Sequence, residues 1–118
     1  MKFNIDGDLE FEINRVDWLL KFVDSDAIEG VGETNYCKYE IYIDKTLKPS
    51  QMIMALKHEL VHAYRWTYAL VSEMELMNIP GTEVEELIAN FVEVFGEQVI
   101  NLANEIMKEI IEIRLEFE

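Results

Sequence analysis

The apolar positions of the chain change period several times, and each change marks an element. Phe3 and Ile5, then Leu9, Phe11 and Ile13, alternate with polar residues on either side of Gly7. A period of two predicts a strand or short hairpin over Met1–Ile13. Asn14 then stands where a helix cap would stand, with Asp17 three residues on. Trp18, Leu19, Phe22 and Val23 follow at helical spacing, which predicts a short helix ending near Ser25. Strand character returns from Ala27 to Ile43. Gly30 and Gly32 loosen its first part. The run Tyr36–Ile43 is rich in aromatic and β-branched residues and predicts a strand with Tyr39, Ile41 and Ile43 on the inward side. Lys45, Lys48 and Pro49 end it.

From Pro49 and Ser50 the period becomes helical. Met52, Ile53, Leu56, Leu60, Ala63, Tyr64 and Leu70 make the apolar surface of a helix expected to reach about Met77. Asn78-Ile79-Pro80-Gly81 is turn punctuation. Thr82 is expected to open a last helix that continues almost to the C-terminus. Its stripe runs Val84, Ile88, Phe91, Phe95, Val99, Leu102, Ile106, Ile110, Ile113 and Phe117. Met107, Ile111 and Leu115 widen this surface near the end. The excess can pack on the N-terminal strands or form a homodimer contact through the C-terminal helix. The pattern as a whole predicts an α+β fold in one domain, residues 1–118.

Composition narrows the function classes. Half the residues are hydrophobic (50%), enough for a true core. The formal net charge of −14 argues against a nucleic-acid or phosphate-surface binder, which needs a basic footprint. It suits a self-repelling soluble protein or one with a basic partner. A single cysteine, Cys37, rules out an internal disulfide and is compatible with a reducing compartment. Met1–Asp6 lacks the apolar run of a signal peptide, and no stretch of about eighteen apolar residues occurs. A cytoplasmic protein without a membrane span is expected.

One pentapeptide carries chemistry. His58-Glu59-Leu60-Val61-His62 reads H-E-x-x-H and uses both histidines of the chain. On a helix, residues four apart share a face, so two imidazoles can reach one metal ion. The intervening glutamate can act as general base on a metal-bound water. This is the spacing of a zinc peptidase; the plain alternative is a surface helix with two ordinary histidines. Arg65 either lines the cleft or is an ion-paired surface arginine. The strand before the helix either edges a cleft, where it can pair with an extended peptide, or has no substrate role.

A catalytic zinc has three protein ligands and one open position. With no third histidine, and Cys37 on the strand side, the third ligand is expected among Glu83, Glu85 and Glu86. Thr82-Glu83-Val84-Glu85 reads as a capping box, which occupies Glu85. Glu83 sits in the first turn, where any acid suits the helix dipole. Glu86 is left free, and Asn90, one turn on, can hydrogen-bond a ligating histidine. Glu86 lies opposite its helix's main apolar stripe, which suits a solvated side chain as well, and Glu85 remains its rival.

His58–His62 followed by Glu86-Leu87-Ile88-Ala89-Asn90 resembles the gluzincin pattern of HExxH with a downstream glutamate helix. The E-x-x-A-N piece is similar to that of the ImmA/IrrE metallopeptidases. Gly32-Glu33-Thr34-Asn35-Tyr36, the strand end Ile41-Tyr42-Ile43-Asp44 and the active helix together resemble small phage and prophage members. The size is similar to that of the minigluzincins. The resemblance spans about Gly32 to Gly96. It implies a zincin-like fold, zinc held by His58, His62 and Glu86, Glu59 as general base, and hydrolysis of peptide bonds in a protein or peptide substrate. In ImmA/IrrE relatives that substrate is often a repressor or other regulator. The chain departs from the gluzincin pattern at Asn90, where aspartate is common. It also lacks an oxyanion-stabilising histidine, which leaves a tyrosine, Arg65 or no residue in that role. Two other readings compete: a zinc-stabilised interaction protein with an acidic partner-binding surface, and an acidic mimic of DNA with incidental histidines.

Overall fold

A computed structural model describes residues 1–68 and 80–117. Five strands form one sheet: β1 (Lys2–Phe3), β2 (Leu9–Ile13), β3 (Val16–Val23), β4 (Gly32–Asn35) and β5 (Glu40–Asp44). Their order is β1-β2-β3-β5-β4, and every pairing is antiparallel except β3 with β5, which run parallel. A single 3-10 turn, Ser25–Ala27, follows β3. Among the described residues two helices share the core with the sheet: α1 (Pro49–Thr67) and α2 (Gly81–Phe117). The α+β class agrees with the expectation from the sequence, and the sheet is small and mixed.

The N-terminal hairpin forms as alternation predicts. Leu9, Phe11 and Ile13 point inward and are buried, whereas Glu12 is exposed. Asn4 Oδ1 accepts the backbone N–H groups of Asp6 and Asp8, both at 2.9 Å, and Gly7 takes φ 84°, which closes the β1–β2 loop.

The helix expected after Asn14 is instead strand β3. Asn14 and Arg15 both adopt positive φ, 49° and 66°, and form the two-residue turn of a β2–β3 hairpin with Ile13 opposite Val16. Positive φ at both central residues matches the twist of a tight hairpin. The apolar run that follows fits two periods. Burial of Trp18 and Leu20, rather than a helical face, decides for the strand.

The single strand expected over Tyr36–Ile43 is likewise corrected. Its first half is the turn of the β4–β5 hairpin, with Asn35 opposite Glu40 and Tyr39 at φ 55°. Asn35 Oδ1 accepts the Lys38 N–H at 3.2 Å. Ile41 and Ile43 are inward as expected, whereas Tyr39 is exposed, its ring edge-on to Trp18 at 5.3 Å. On the outer face Lys21 bridges Asp8 at 3.7 Å and Glu40 at 3.3 Å.

Helix α1 begins at Pro49, whose fixed φ suits a first helical position, and the Lys48 N–H is accepted by Gln51 Oε1 at 3.1 Å. Met52, Leu56, Leu60, Ala63 and Tyr64 are buried on its inner face. The expected extension to Met77, with Leu70 and Ala69, lies outside the described residues, as do Asn78 and Ile79. Helix α2 begins at Gly81. The Pro80 carbonyl accepts the N–H groups of Glu83 and Val84 at 2.9 and 3.1 Å, so Thr82 lies inside the helix and not at its cap. The expected capping box is therefore not the helix start, and Glu85 is released from that role. Val99, Ala103, Ile106, Met107 and Ile110 are buried, Phe91, Phe95 and Leu102 are half-buried, and Ile88 is exposed. No described helix is long and apolar enough to cross a membrane.

The link from β5 to α1 carries a pH-sensitive cap. Asp44 Oδ1 accepts the Thr46 hydroxyl at 2.7 Å and its N–H at 2.8 Å. The hydroxyl bond first, then the backbone bond, holds the Asp44 carboxyl below the usual aspartate range. The stability these bonds contribute is complete above the ordinary aspartate value of about 3.9. It is lost as pH falls through the lower folded-state value. Thr46→Val removes the hydroxyl bond and is expected to move the acid-unfolding midpoint to higher pH, followed by circular dichroism. An unchanged midpoint would remove Asp44 from the acid response.

Candidate metal centre

The HExxH segment lies in the middle of α1, so the helix alone sets the positions of its side chains. His58 and His62 are one turn apart with Nε2 atoms 3.3 Å from each other and ring centroids 5.0 Å apart. Two nitrogens each about 2.0–2.1 Å from a tetrahedral zinc stand about 3.3 Å apart, so the pair fits such an ion. The His58 side chain is 70% exposed and open to entry from solvent. His62 is half-buried beside Tyr36, whose ring lies 6.5 Å from the imidazole and 5.0 Å from Trp66. Trp66, one further turn along α1, continues the histidine line.

Glu59 turns the other way around the helix, toward the sheet. Its side chain is only 8% exposed. Burial of a carboxylate is costly unless it is hydrogen-bonded. The Thr34 hydroxyl supplies that bond, donating to Glu59 Oε1 at 2.8 Å, while Oε2 stays 4.0 Å from His58 Nε2. Thr34 lies on β4, an outer strand of the sheet. The backbone of β4 passes so close that a Cβ at Gly32 would stand 3.0 Å from Glu59 Cγ and Oε2 and 3.1 Å from Ile43 Cδ1. Glycine at this position is what lets β4 lie against the glutamate. One carboxylate oxygen is thus fixed by Thr34, and the other faces the histidine side.

Gly32, Thr34 and Tyr36 were not singled out for roles by the sequence. The available signal was their spacing of two, which puts strand residues on one face. They form the wall opposite the motif. Cys37 is exposed in the adjoining turn.

The expected carboxylate ligand is not gathered with the histidines. Among the described residues, no group of three His, Cys, Asp or Glu side chains is placed to hold a metal ion. Glu83, Glu85 and Glu86 are all exposed in the first turns of α2. Asn90, one turn beyond Glu86, lines a cleft of about 740 Å³ between the helices, together with Lys57, Val61 and Arg65 of α1. Phe95, which also lines the cleft, packs against Tyr64 and Tyr68 with ring centroids 6.0 and 4.6 Å away.

Fold and site together define an α+β chain that presents an HExxH helix against the outer strand of a mixed sheet. The chain matches no family model, and no curated protein or solved structure is similar enough to count as a match.

Proposed function

We propose that the chain is a zinc-dependent endopeptidase of zincin-like, gluzincin type, acting on a protein or peptide in the cytoplasm. The observation that carries this reading is the convergence of His58 and His62 Nε2 at 3.3 Å beside a buried, hydrogen-bonded Glu59. An ordinary pair of surface histidines would leave such a glutamate without a purpose. Zinc held by His58 and His62 would supply a water of lowered pKa and polarise the scissile carbonyl. Glu59 takes the proton from the attacking water and returns it to the leaving amine. Thr34 keeps one Glu59 oxygen occupied and leaves the other on the histidine side, where it would meet a metal-bound water. Tyr36, beside His62, is the tyrosine best situated to steady the developing oxyanion.

Glu86 is the proposed third ligand, with Glu85 as its rival now that no capping box holds it. Glu86 stands apart from the histidines among the described residues, so its role as ligand requires the start of α2 to come to them on metal binding. Metal content by mass spectrometry on wild type, His62→Ala and Glu86→Ala tests the set. The expected result is about one zinc per chain, lost in both variants. Loss only in His62→Ala would transfer the ligand role to Glu85 or Glu83. A wild type that takes up no zinc, even on reconstitution, would sink the proposal.

The ungathered carboxylate favours a second reading, a zinc-stabilised interaction protein that does not hydrolyse peptides. It shares the stoichiometric zinc and the stabilisation by metal. Absence of cleavage across a broad peptide library by the zinc-loaded protein separates it from the first.

A further inference from the structure

We infer that the cleft between the β1–β2 loop and the last turns of α2 binds a small amphiphilic carboxylate, with its acid head at Arg114 and its apolar tail along Phe3 and Phe22. The cleft holds about 470 Å³, within the range of small-molecule sites. Elements far apart in the chain build it. Phe3 of β1, Ile5 of the loop and Phe22 near the end of β3 meet Ile110 and Ile113 of α2. Ile110 is buried, and Phe3 and Phe22 pack against the core, so the fold holds these apolar groups in place. Ile5 is fully exposed. A tail laid along these side chains leaves water, which is favourable in proportion to the apolar area covered.

Charge selects the head group. Among the described residues the only charged side chains that line the cleft are two cations, Lys45 and Arg114. Lys45 is taken by Asp24 at 2.6 Å. Arg114 is half-buried and forms no ion pair among the described residues, in a chain with 24 acidic side chains against 10 basic ones. Other cations that hold no carboxylate, such as Lys38 and Lys108, are exposed and keep their water. A guanidinium drawn partly out of water is matched by a carboxylate, which meets its parallel donors two at a time. One such cation matches one acid group. Nucleic acid or a phosphate-rich surface needs a broad basic footprint, which a net charge of −14 does not offer. That net charge repels any anion at a distance, so affinity comes from the contact with Arg114 and from burial of the tail. The cleft shares no lining residue with the HExxH site, and the inference stands apart from whether that site cleaves peptides.

The probes are decanoate, decanol with the same tail and no charge, and acetate with the head alone. Binding to the full chain is measured by calorimetry below the micellar concentration, with zinc and with chelator. The expected result is saturable one-to-one binding of decanoate in both conditions, decanol weaker by about tenfold, and no binding of acetate. Arg114→Gln is expected to weaken decanoate by about tenfold and to leave decanol unchanged, a difference that general damage to the cleft would not produce. Arg114→Lys keeps the charge and is expected to retain part of the preference for decanoate. Ile5→Asn is expected to weaken both long-chain probes alike, and Lys108→Gln, on the same helix outside the cleft, to weaken neither. Circular dichroism confirms that the variants fold. A wild type that binds decanoate no better than decanol would overturn the inference, as would decanoate binding that Arg114→Gln leaves intact. A chain that takes decanoate only after deletion of residues 115–118 would give the cleft to its own C-terminus. A dimer in sedimentation equilibrium that Ile5→Asn dissolves would give it to a second copy. Because binding is read with and without metal, its failure leaves the peptidase proposal untouched, and the reverse holds.

Discussion

Replacing Glu59 by glutamine is expected to leave zinc bound and to lower peptide hydrolysis by about a hundred- to ten-thousandfold, the usual contribution of a positioned general base. The structure makes this substitution unusually clean. Glutamine keeps the volume of a side chain that is almost fully enclosed, and its carbonyl oxygen can still accept the Thr34 hydroxyl bond. Neither histidine changes, so the pair proposed to hold zinc is intact. What disappears is the ability to take a proton. The readout is cleavage of a quenched fluorescent peptide library, with zinc counted in the same preparations and stability followed by urea. Full zinc, near-native stability and lost cleavage would agree with the assigned role. A variant that cleaves at the wild-type rate would move the base elsewhere.

Trp18→Ala is expected to cost about 3–5 kcal/mol of folding stability, the range for removing a large buried aromatic. That is a large share of the roughly 5–15 kcal/mol that holds a small domain folded. Trp18 is 2% exposed and links three elements at once. Its indole N–H donates to Thr67 Oγ1 at 2.9 Å, tying β3 to the end of α1, and Tyr39 from the β4–β5 turn packs edge-on against its ring. Trp18→Phe keeps most of the apolar volume and loses the donor, which should cost about 0.5–1.5 kcal/mol through the lost hydrogen bond to the half-buried Thr67. Urea denaturation of the three proteins gives both values. A Trp18→Ala midpoint within error of wild type would contradict the packing described.

The same residue shows why part of the fold could not be read from the chain. Trp18, Leu19, Phe22 and Val23 fit a helical face, while Val16, Trp18 and Leu20 fit a strand, and a short apolar run allows both. The deciding feature was the Asn14-Arg15 turn, and arginine at positive φ carries no sequence signal comparable to glycine. Helix α1 was legible because proline opens it and its period persists over many residues. The histidine pair was legible for the same reason: four residues of helix determine it. The support for Glu59 was not legible, since Thr34 and Gly32 reach it from another element. Periodicity describes faces and says nothing about which face meets which. The third ligand depends on the same missing information, and the residues that join α1 to α2 include those outside the described set.

The parallel seam between β3 and β5 has a consequence for the order in which the molecule assembles. Hairpins β2–β3 and β4–β5 each close over a few residues, whereas Leu19 must find Glu40 across the end of β3, the 3-10 turn and β4. Local pairings close quickly and distant ones slowly. The two hairpins are therefore expected to form as separate units that meet late. The histidine pair needs only a turn of α1 and can exist before that meeting. Glu59 finds its place only when β4 has been delivered beside the helix. On the proposed function, a nascent chain would present its histidine pair before its glutamate is aligned, and hydrolytic competence would arrive only when the two halves of the sheet have joined.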